Sequence, residues 1–208
     1  VLSNKASQTT AITGDIMNIQ ITAALLVTLV TTTAMAADDR VANDVQRNVN
    51  QQQRIEQGLQ SGELTTREAG KLEREQSRVE RTEKRDLRDG SISNAEQRRL
   101  TARQNRVSRD IARQKHDAQT GNPDSASSHR MQTDVQRNVN QQQRIQQGAE
   151  SGTLNNHQVG NLERGQAHVD RREARAAMNG RIGAAEQAGV QRAENRQSRR
   201  VFRKKHNG

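Results

Sequence analysis

The sequence lacks cysteine, tryptophan and tyrosine, and it has one phenylalanine and one proline among 208 residues. Because cysteine is absent, disulfide bonds, thiolate metal sites and thiol catalysis are excluded. Strand-rich domains draw on aromatic residues and on frequent proline and glycine turns. The scarcity of aromatic residues and proline therefore argues against a β fold.

Helix-compatible residues fill the chain instead, mainly Gln, Arg, Glu, Ala and Asn. Only 30% of the residues are hydrophobic, so any core is thin and the composition borders on that of disordered proteins. Helical periodicity is therefore the feature that favours a folded chain over a disordered one.

An apolar run of about ten residues, Ile21 to Val30, lies near the beginning of the chain. It is too short for a membrane-spanning helix, which needs about 20 apolar residues, and it precedes the small-x-small pattern Ala34-Met35-Ala36. We interpret 17–36 as a cleavable signal peptide and 1–16 as translated upstream sequence. The sequence thus predicts a periplasmic or secreted bacterial protein without a transmembrane span after processing.

The rest of the chain is a duplication. The segment DVQRNVNQQQRI at 44–55 recurs unchanged at 134–145, an offset of 90 that holds along both copies. The sequence predicts a first helical repeat at 37–117, a linker at 118–130 that contains the proline, and a second helical repeat at 131–208.

Apolar residues in each copy follow helical spacing in three segments, for example Leu72, Val79 and Leu87 in the second. The connections are short, which favours antiparallel neighbours. We therefore predict an all-α fold built from two tandem copies of a three-helix antiparallel unit. Polar residues such as Asn48 and Gln52 occupy seam positions, which indicates weak packing or pairing with another copy or chain, including a homo-oligomer.

Acidic and basic residues alternate along the second segment. This alternation is typical of solvated helix faces supported by ion pairs three and four residues apart, and not of an acid/base pair. The residues are Glu73, Arg74, Glu75, Arg78, Glu80, Arg81, Glu83 and Lys84. With no catalytic constellation elsewhere, the sequence predicts no enzyme and no cofactor.

Four glycine loops resemble degenerate EF-hand loops. Each has the Gly-x-aliphatic outline but too few oxygen ligands for a calcium ion, so we expect the loops to bind calcium no tighter than millimolar. The same residues fit capped turns between helices, with a left-handed glycine followed by a capping box. The predicted turn residues are Gly62, Thr65, Glu68, Gly90, Ser93, Glu96, Gly152, Asn155, Gln158, Gly180 and Glu186.

The loops also resemble the L-T-x-x-Q motif of the Spy/CpxP group of periplasmic helical stress chaperones. Leu64 and Thr65 match the motif, with Glu68 in place of Gln. Leu154 and Gln158 match it in the second copy, with Asn in place of Thr. The resemblance implies an exported helical protein that protects other proteins during stress.

Metal candidates are few. His116 and His206 occupy equivalent repeat positions beside lysines at predicted helix ends, where a cation meets the helix dipole favourably. A second interpretation is a copper, nickel or zinc site built by both copies. In the EF-hand-like loop around Gly90, Asp89 and Glu96 are the candidate oxygen ligands for a cation.

Charge is more informative. The net charge is +10, and residues 123–208 carry 15 basic against 8 acidic residues, compared with 18 against 15 in residues 37–122. The excess is greatest near the end of the chain. The predicted anion- and partner-binding residues are Arg192, Arg196, Arg199, Arg200, Arg203, Lys204 and Lys205.

These observations favour a non-enzymatic exported protein that engages anionic or partly unfolded partners through basic helical surfaces, in a binding or stress-protective role. The partners expected are acidic or unfolded proteins and anionic envelope components. Nucleic acid is not favoured, because aromatic residues for base stacking are lacking and the chain is predicted to be exported. Two alternatives stay open, a divalent-metal binding or buffering protein and a basic surface without a dedicated ligand.

Overall fold

The computed structural model describes residues 28–206, with side chains from Asp39 onward. Within this range the fold is all-α, as predicted, with six α-helices and one short 3₁₀ turn but no strand. The α-helices are α1 (Thr28–Ser61), α2 (Thr66–Asp86), α3 (Asn94–Lys115), α4 (Ala126–Glu150), α5 (Asn156–Ala176) and α6 (Ala184–His206).

Short capped turns join the helices within each copy. Thr65 caps α2 and Glu68 completes its capping box, and Ser93 with Glu96 does the same for α3. Asn155 caps α5, and here the side chain of Gln158 closes the box. The turns contain Gly62, Gly90, Gly152 and Gly180, whose φ angles of +69° to +86° lie in the left-handed region that glycine adopts at low cost.

The two copies are packed into one another. The most extensive helix pairs are α2 with α5 and α1 with α4, so equivalent helices of the two copies face each other. Gly70 on α2 lies against Ala174 and Ala177, and Gly160, its equivalent on α5, lies against Lys84 and Leu87. These contacts are reciprocal, because Ala174 and Ala177 are the equivalents of Lys84 and Leu87. Reciprocal contacts of this kind arise when a two-fold axis relates the two copies, and α2 and α5 are antiparallel across that axis.

A single apolar cluster runs through both copies. Leu72 and Val79 on α2 and Leu162 on α5 are almost completely buried in it, as are Ile55 on α1 and Ile145 on α4. Helix α1 packs against α4 of the other copy, while the polar seam positions of α1 hydrogen-bond to α2 of their own copy. A homo-oligomer stays a prediction.

Predictions for the beginning of the chain fall largely outside the described residues. This applies to the upstream segment 1–16 and to most of the signal peptide at 17–36. Among the described helices, none has the length and apolar character required to cross a bilayer. Helix α4 begins at Ala126, after the N-cap Ser125, so it already includes the last five residues of the segment predicted as the linker.

Candidate functional site

A basic groove lies between α5 and α6. It has a volume of about 340 Å³. Five cationic or titratable side chains line it, together with a floor of small and amide residues, and no acidic residue takes part. The basic lining consists of Arg164, His168, Arg171, Arg196 and Arg200. An adjoining depression shares Arg164 and Arg200 and adds Arg203 and Lys204, so the positive surface continues towards the end of α6.

The floor of the groove depends on a missing side chain. A Cβ atom added to Gly165 would lie 2.6 Å from Nη1 of Arg200 and would also overlap the amide of Gln197. The Gln197 amide donates to the carbonyl oxygen of Leu162 at 2.9 Å and accepts from Arg200. Glycine at this position therefore allows the Arg200 guanidinium to lie over α5.

The equivalent groove of the first copy is different. It has a volume of about 130 Å³ and contains an acid, Glu75, at the position of Gly165. Asp110 takes the place of Arg200 and pairs with Arg113 at 2.6 Å and with Arg106 at 3.9 Å. The two changes, acid to glycine and acid to arginine, leave the groove of the second copy without a negative charge.

The histidine in the basic groove responds to this charge. Partial burial lowers the pKa of His168, and the nearby Arg172, Arg171, Arg196 and Arg175 lower it further. Its Nε2 accepts a hydrogen bond from Arg172 Nε at 3.2 Å, which requires that nitrogen to be unprotonated. The groove therefore disfavours additional positive charge and favours an anion.

The basic residues predicted from spacing are grouped differently in space. Arg196, Arg200, Arg203 and Lys204 line the groove and its extension. Arg192 and Arg199 are exposed on α6 but line neither, and Lys205 is half-buried. Arg164 and Arg171, which sequence reasoning did not select, come from α5 and complete the groove.

Comparison with family models, with curated proteins and with solved structures finds no match to this chain.

A second polar site lies at the centre of the bundle, and it corrects the expectation of solvated acidic faces on α2. Glu73, Glu80 and Glu83 are buried, with no more than 2% of each exposed. Their equivalents on α5, Glu163, Asp170 and Glu173, are fully buried. These acids lie where α2 packs against α5, while the arginines between them are exposed.

The six carboxyl groups, which we call the carboxyl core, meet across the two-fold axis. Glu80 and Asp170 occupy equivalent positions and, in addition to burial, each influences the pKa of the other, which places their contact on the axis. Burial raises the pKa of Glu83, and Glu163 raises it further on one side of the axis. The equivalent partners on the other side are Glu173 and Glu73, whose oxygen atoms lie with one from Asp170 within 4.8 Å of one another.

Buried amides on α1 and α4 support the carboxyl core in matching ways. Asn48 donates to Glu83 at 2.9 Å, and its equivalent Asn138 donates to Glu173 at 2.8 Å. Gln52 donates to Glu73 at 2.9 Å, and Gln142 donates to Glu163 at 3.1 Å. Asn48 reaches both oxygens of Glu83, but the amides satisfy only one oxygen of Glu73, Glu163 and Glu173, whose other oxygen has no hydrogen-bond partner.

No basic residue in the described part of the chain forms an ion pair with the carboxyl core. Burial raises the pKa of Glu163 and of Asp170 to about 7. It raises the pKa of Glu73 well above the usual range, and the neighbouring Asp170 adds to the effect. Burial likewise raises the pKa of Glu173, with Glu73 the next cause. Such a group of acids must hold either protons or a cation at neutral pH.

The duplication held a signal for this core. Each copy contributes three acids of the carboxyl core and three amides beside them, and all six residue types are kept between the copies, with Asp in place of Glu once. The equivalent pairs are Asn48 and Asn138, Gln52 and Gln142, Glu73 and Glu163, Gln76 and Gln166, Glu80 and Asp170, Glu83 and Glu173. Elsewhere acids change freely, as at Glu63, Asp89 and Asp110, which become Thr, Asn and Arg. Comparing the copies position by position would have singled out these six positions as candidates for a shared polar centre.

The metal candidates from the sequence have other contacts. Asp89 Oδ1 accepts a hydrogen bond from the backbone N–H of Ser91, and Glu96 Oε2 accepts one from the backbone N–H of Ser93. Both carboxyl groups therefore stabilise the turn. His116 is the C-cap residue of α3. His206 stacks on Phe202 in the last turn of α6. The close group of potential ligands in the described range is Glu73, Asp170 and Glu173, which includes none of these four residues.

Proposed function

We propose that this protein is a non-enzymatic, exported binding protein that engages anionic partners through the basic groove between α5 and α6. The observation that carries the proposal is the groove itself: Arg164, Arg171, Arg196 and Arg200 converge without an acidic neighbour. Guanidinium groups bind phosphate and carboxylate oxygens through paired hydrogen bonds. Phosphate-bearing envelope components such as lipopolysaccharide therefore match the groove well.

Partly unfolded proteins are the less favoured partner class. A chaperone needs exposed apolar surface to hold an unfolded client, and the large apolar side chains exposed between residues 39 and 206 are Met178 and Phe202. Phe202 is also stacked on His206. The resemblance to the Spy/CpxP group implies protection of unfolded proteins during stress. That role stays a prediction, and the small exposed apolar surface makes it the less favoured one.

Export and the tandem arrangement are part of the same proposal. The apolar run before Ala36 supports removal of a signal peptide, and the mass of the exported protein's first peptide tests it. The exact recurrence of 44–55 at 134–145 supports a duplicated three-helix unit. Placement in the envelope would bring the groove into contact with anionic lipid head groups.

The test is binding of lipopolysaccharide at about 50 mM and about 300 mM salt. Exposed charges are screened within about 10 Å at 0.1 M salt, so binding through the groove must weaken as salt rises. A variant with Gln at Arg164, Arg196 and Arg200 should bind at least tenfold more weakly than the unchanged protein, a loss of about 1.4 kcal/mol.

A matched control comes from the first copy. Gln at Arg78, Arg103 and Arg106 removes the same number of charges from the equivalent groove, which contains Glu75. This variant should bind within about twofold of the unchanged protein. Equal losses in the two variants would mean that total charge and not the groove is responsible. Suppression of the aggregation of an unfolded protein, measured with the same variants, distinguishes the less favoured client class.

A further inference from the structure

The carboxyl core contains more acid than its protein surroundings can balance. Glu73, Asp170 and Glu173 come from the two central helices, are fully buried and bring three oxygen atoms within 4.8 Å of one another. Their neighbours in the core are amides and further carboxyl groups. Burying several carboxylates together is costly unless each is neutralised by a proton or a cation.

Buried polar atoms without a hydrogen-bond partner give a second indication of a ligand at this group. Glu73 Oε1, Asp170 Oδ2 and Glu173 Oε1 are buried without a hydrogen-bond partner. The Gln52 side-chain amide donates a hydrogen bond to Glu73 Oε2, and Gln52 Oε1 is also buried without a hydrogen-bond partner. Four buried acceptor oxygens thus lie in or beside the group with no donor to satisfy them, which is the arrangement expected around a bound cation.

We propose that Glu73, Asp170 and Glu173, with Gln52 Oε1 as a neighbouring ligand, bind a hard divalent cation such as Mn²⁺, Mg²⁺ or Ca²⁺. Carboxylate and amide carbonyl oxygens are the ligands that these cations prefer. Histidine and cysteine, the ligands that favour zinc and copper, are absent from the site. Three carboxylates and one amide leave positions for water, in keeping with cations that retain part of their hydration shell.

The site is independent of the anion-binding groove, because it lies between α2 and α5 and uses none of the groove's arginines. It also differs from the glycine loops, whose carboxylates serve as helix caps. The core position links the two copies directly, since Glu73 belongs to the first and Asp170 and Glu173 belong to the second. A cation there would hold α2 and α5 together.

The direct experiment uses Mn²⁺ as the probe. The full chain is stripped with a chelator and titrated with Mn²⁺ at pH 7.5, and loss of the electron paramagnetic resonance signal of free Mn²⁺ reports binding. We expect a Kd below about 100 μM, tighter than exposed acidic surfaces give. Mg²⁺ and Ca²⁺ should displace the bound Mn²⁺.

Thermal unfolding gives a second readout. A ligand that binds only the folded chain stabilises it, and a cation at about a hundredfold over Kd should raise the Tm by about 5–10 °C for a chain of this size. Absence of Mn²⁺ binding up to 1 mM together with an unchanged Tm would overturn the proposal, whatever the variants do.

Variants locate the site. Asp170→Asn and Glu173→Gln keep the shape of the side chains and remove one negative charge each, so both should fold without metal while weakening Mn²⁺ binding at least tenfold. Circular dichroism checks their folding. The control Glu75→Gln alters an acid two residues from Glu73 that faces α3 and the groove of the first copy. It should change binding less than twofold, and equal Mn²⁺ binding by all three variants would exclude the site.

Discussion

Glu194 provides the sharpest test of the buried polar network. This residue on α6 is fully buried, and neither carboxylate oxygen has a hydrogen-bond partner. Arg137 Nε lies 3.3 Å from Oε2 and forms an ion pair with it. Burial raises the pKa of Glu194 to about 8, and the neighbouring Asp134 adds to the rise against the opposing effect of Arg137. The first copy has Gln104 at this position, where its amide donates to Asn48 at 3.1 Å and to the Asp44 carbonyl at 2.9 Å.

The substitution Glu194→Gln should therefore stabilise the protein. An acid with a pKa of about 8 when folded and 4.5 in the unfolded chain costs about 3 kcal/mol at pH 7, because the folded state must hold its proton. The Arg137 contact adds no separate contribution at pH 7, because the protonated carboxyl group carries no charge and the pKa of about 8 already includes the effect of Arg137. We expect a gain of about 3 kcal/mol at pH 7, or a rise in Tm of about 6–12 °C.

The gain in stability from Glu194→Gln should depend on pH. A folded-state pKa above the unfolded value means that stability is fully present below about pH 4.5 and is lost as pH rises towards 8. The advantage of Glu194→Gln should thus be small at pH 4.5 and should grow to its full value by pH 8. The assay is chemical unfolding followed by circular dichroism at several pH values, in the presence of a chelator.

The reverse substitution is the matched control. Gln104→Glu places an acid at the same position of the first copy and should destabilise the protein progressively from pH 5 to pH 8. A gain for Glu194→Gln that does not vary between pH 5 and pH 8, or no gain at all, would refute the account of the buried carboxyl. So would a Gln104→Glu variant as stable as the unchanged protein at pH 8.

Two further predictions concern the helices and turns. Gly152→Ala should lower the free energy of unfolding by about 1 kcal/mol, because φ is +69° there; no neighbouring atom lies within 4 Å of an added Cβ, so the cost comes from the backbone conformation alone. Gly189→Ala within α6 should instead raise it by about 0.5–1 kcal/mol. Equal effects of the two substitutions in chemical unfolding would contradict this. Thr65→Ala removes the N-cap of α2 and should cost about 1 kcal/mol, while Thr101→Ala, within α3, should change stability by less than about 0.5 kcal/mol in the same measurement.

Local features of the fold could be predicted from the sequence because local physics decides them. The turn at Gly62 and Thr65 needs a left-handed residue and a capping box, both of which are readable within eight residues. Heptad spacing of Leu72 and Val79 likewise predicts the buried side of α2. The helical class followed from these signals and from the scarcity of aromatic residues.

The buried acids could not be predicted in the same way. Glu73 and Glu80 adjoin Leu72 and Val79 on the helix, yet they also have arginines at ion-pair spacing, so pattern alone supports a solvated face. Their burial follows from α5, which covers this side with equivalent acids and which is about 90 residues away in the chain. The basic groove has the same origin, because Arg164 meets Arg196 and Arg200 only when α5 and α6 are side by side.

The reciprocal packing of α2 on α5 means that the chain is built like a dimer whose subunits have been joined by a peptide. In a dimer of identical chains, every substitution appears twice, so a change that suits one groove is also imposed on the other. Joining the subunits removes this constraint. The two copies therefore differ at Glu75 and Gly165 and at Asp110 and Arg200, while the shared centre is symmetric because each half faces the other there. A one-sided basic groove is therefore available to the fused chain and not to a symmetric pair.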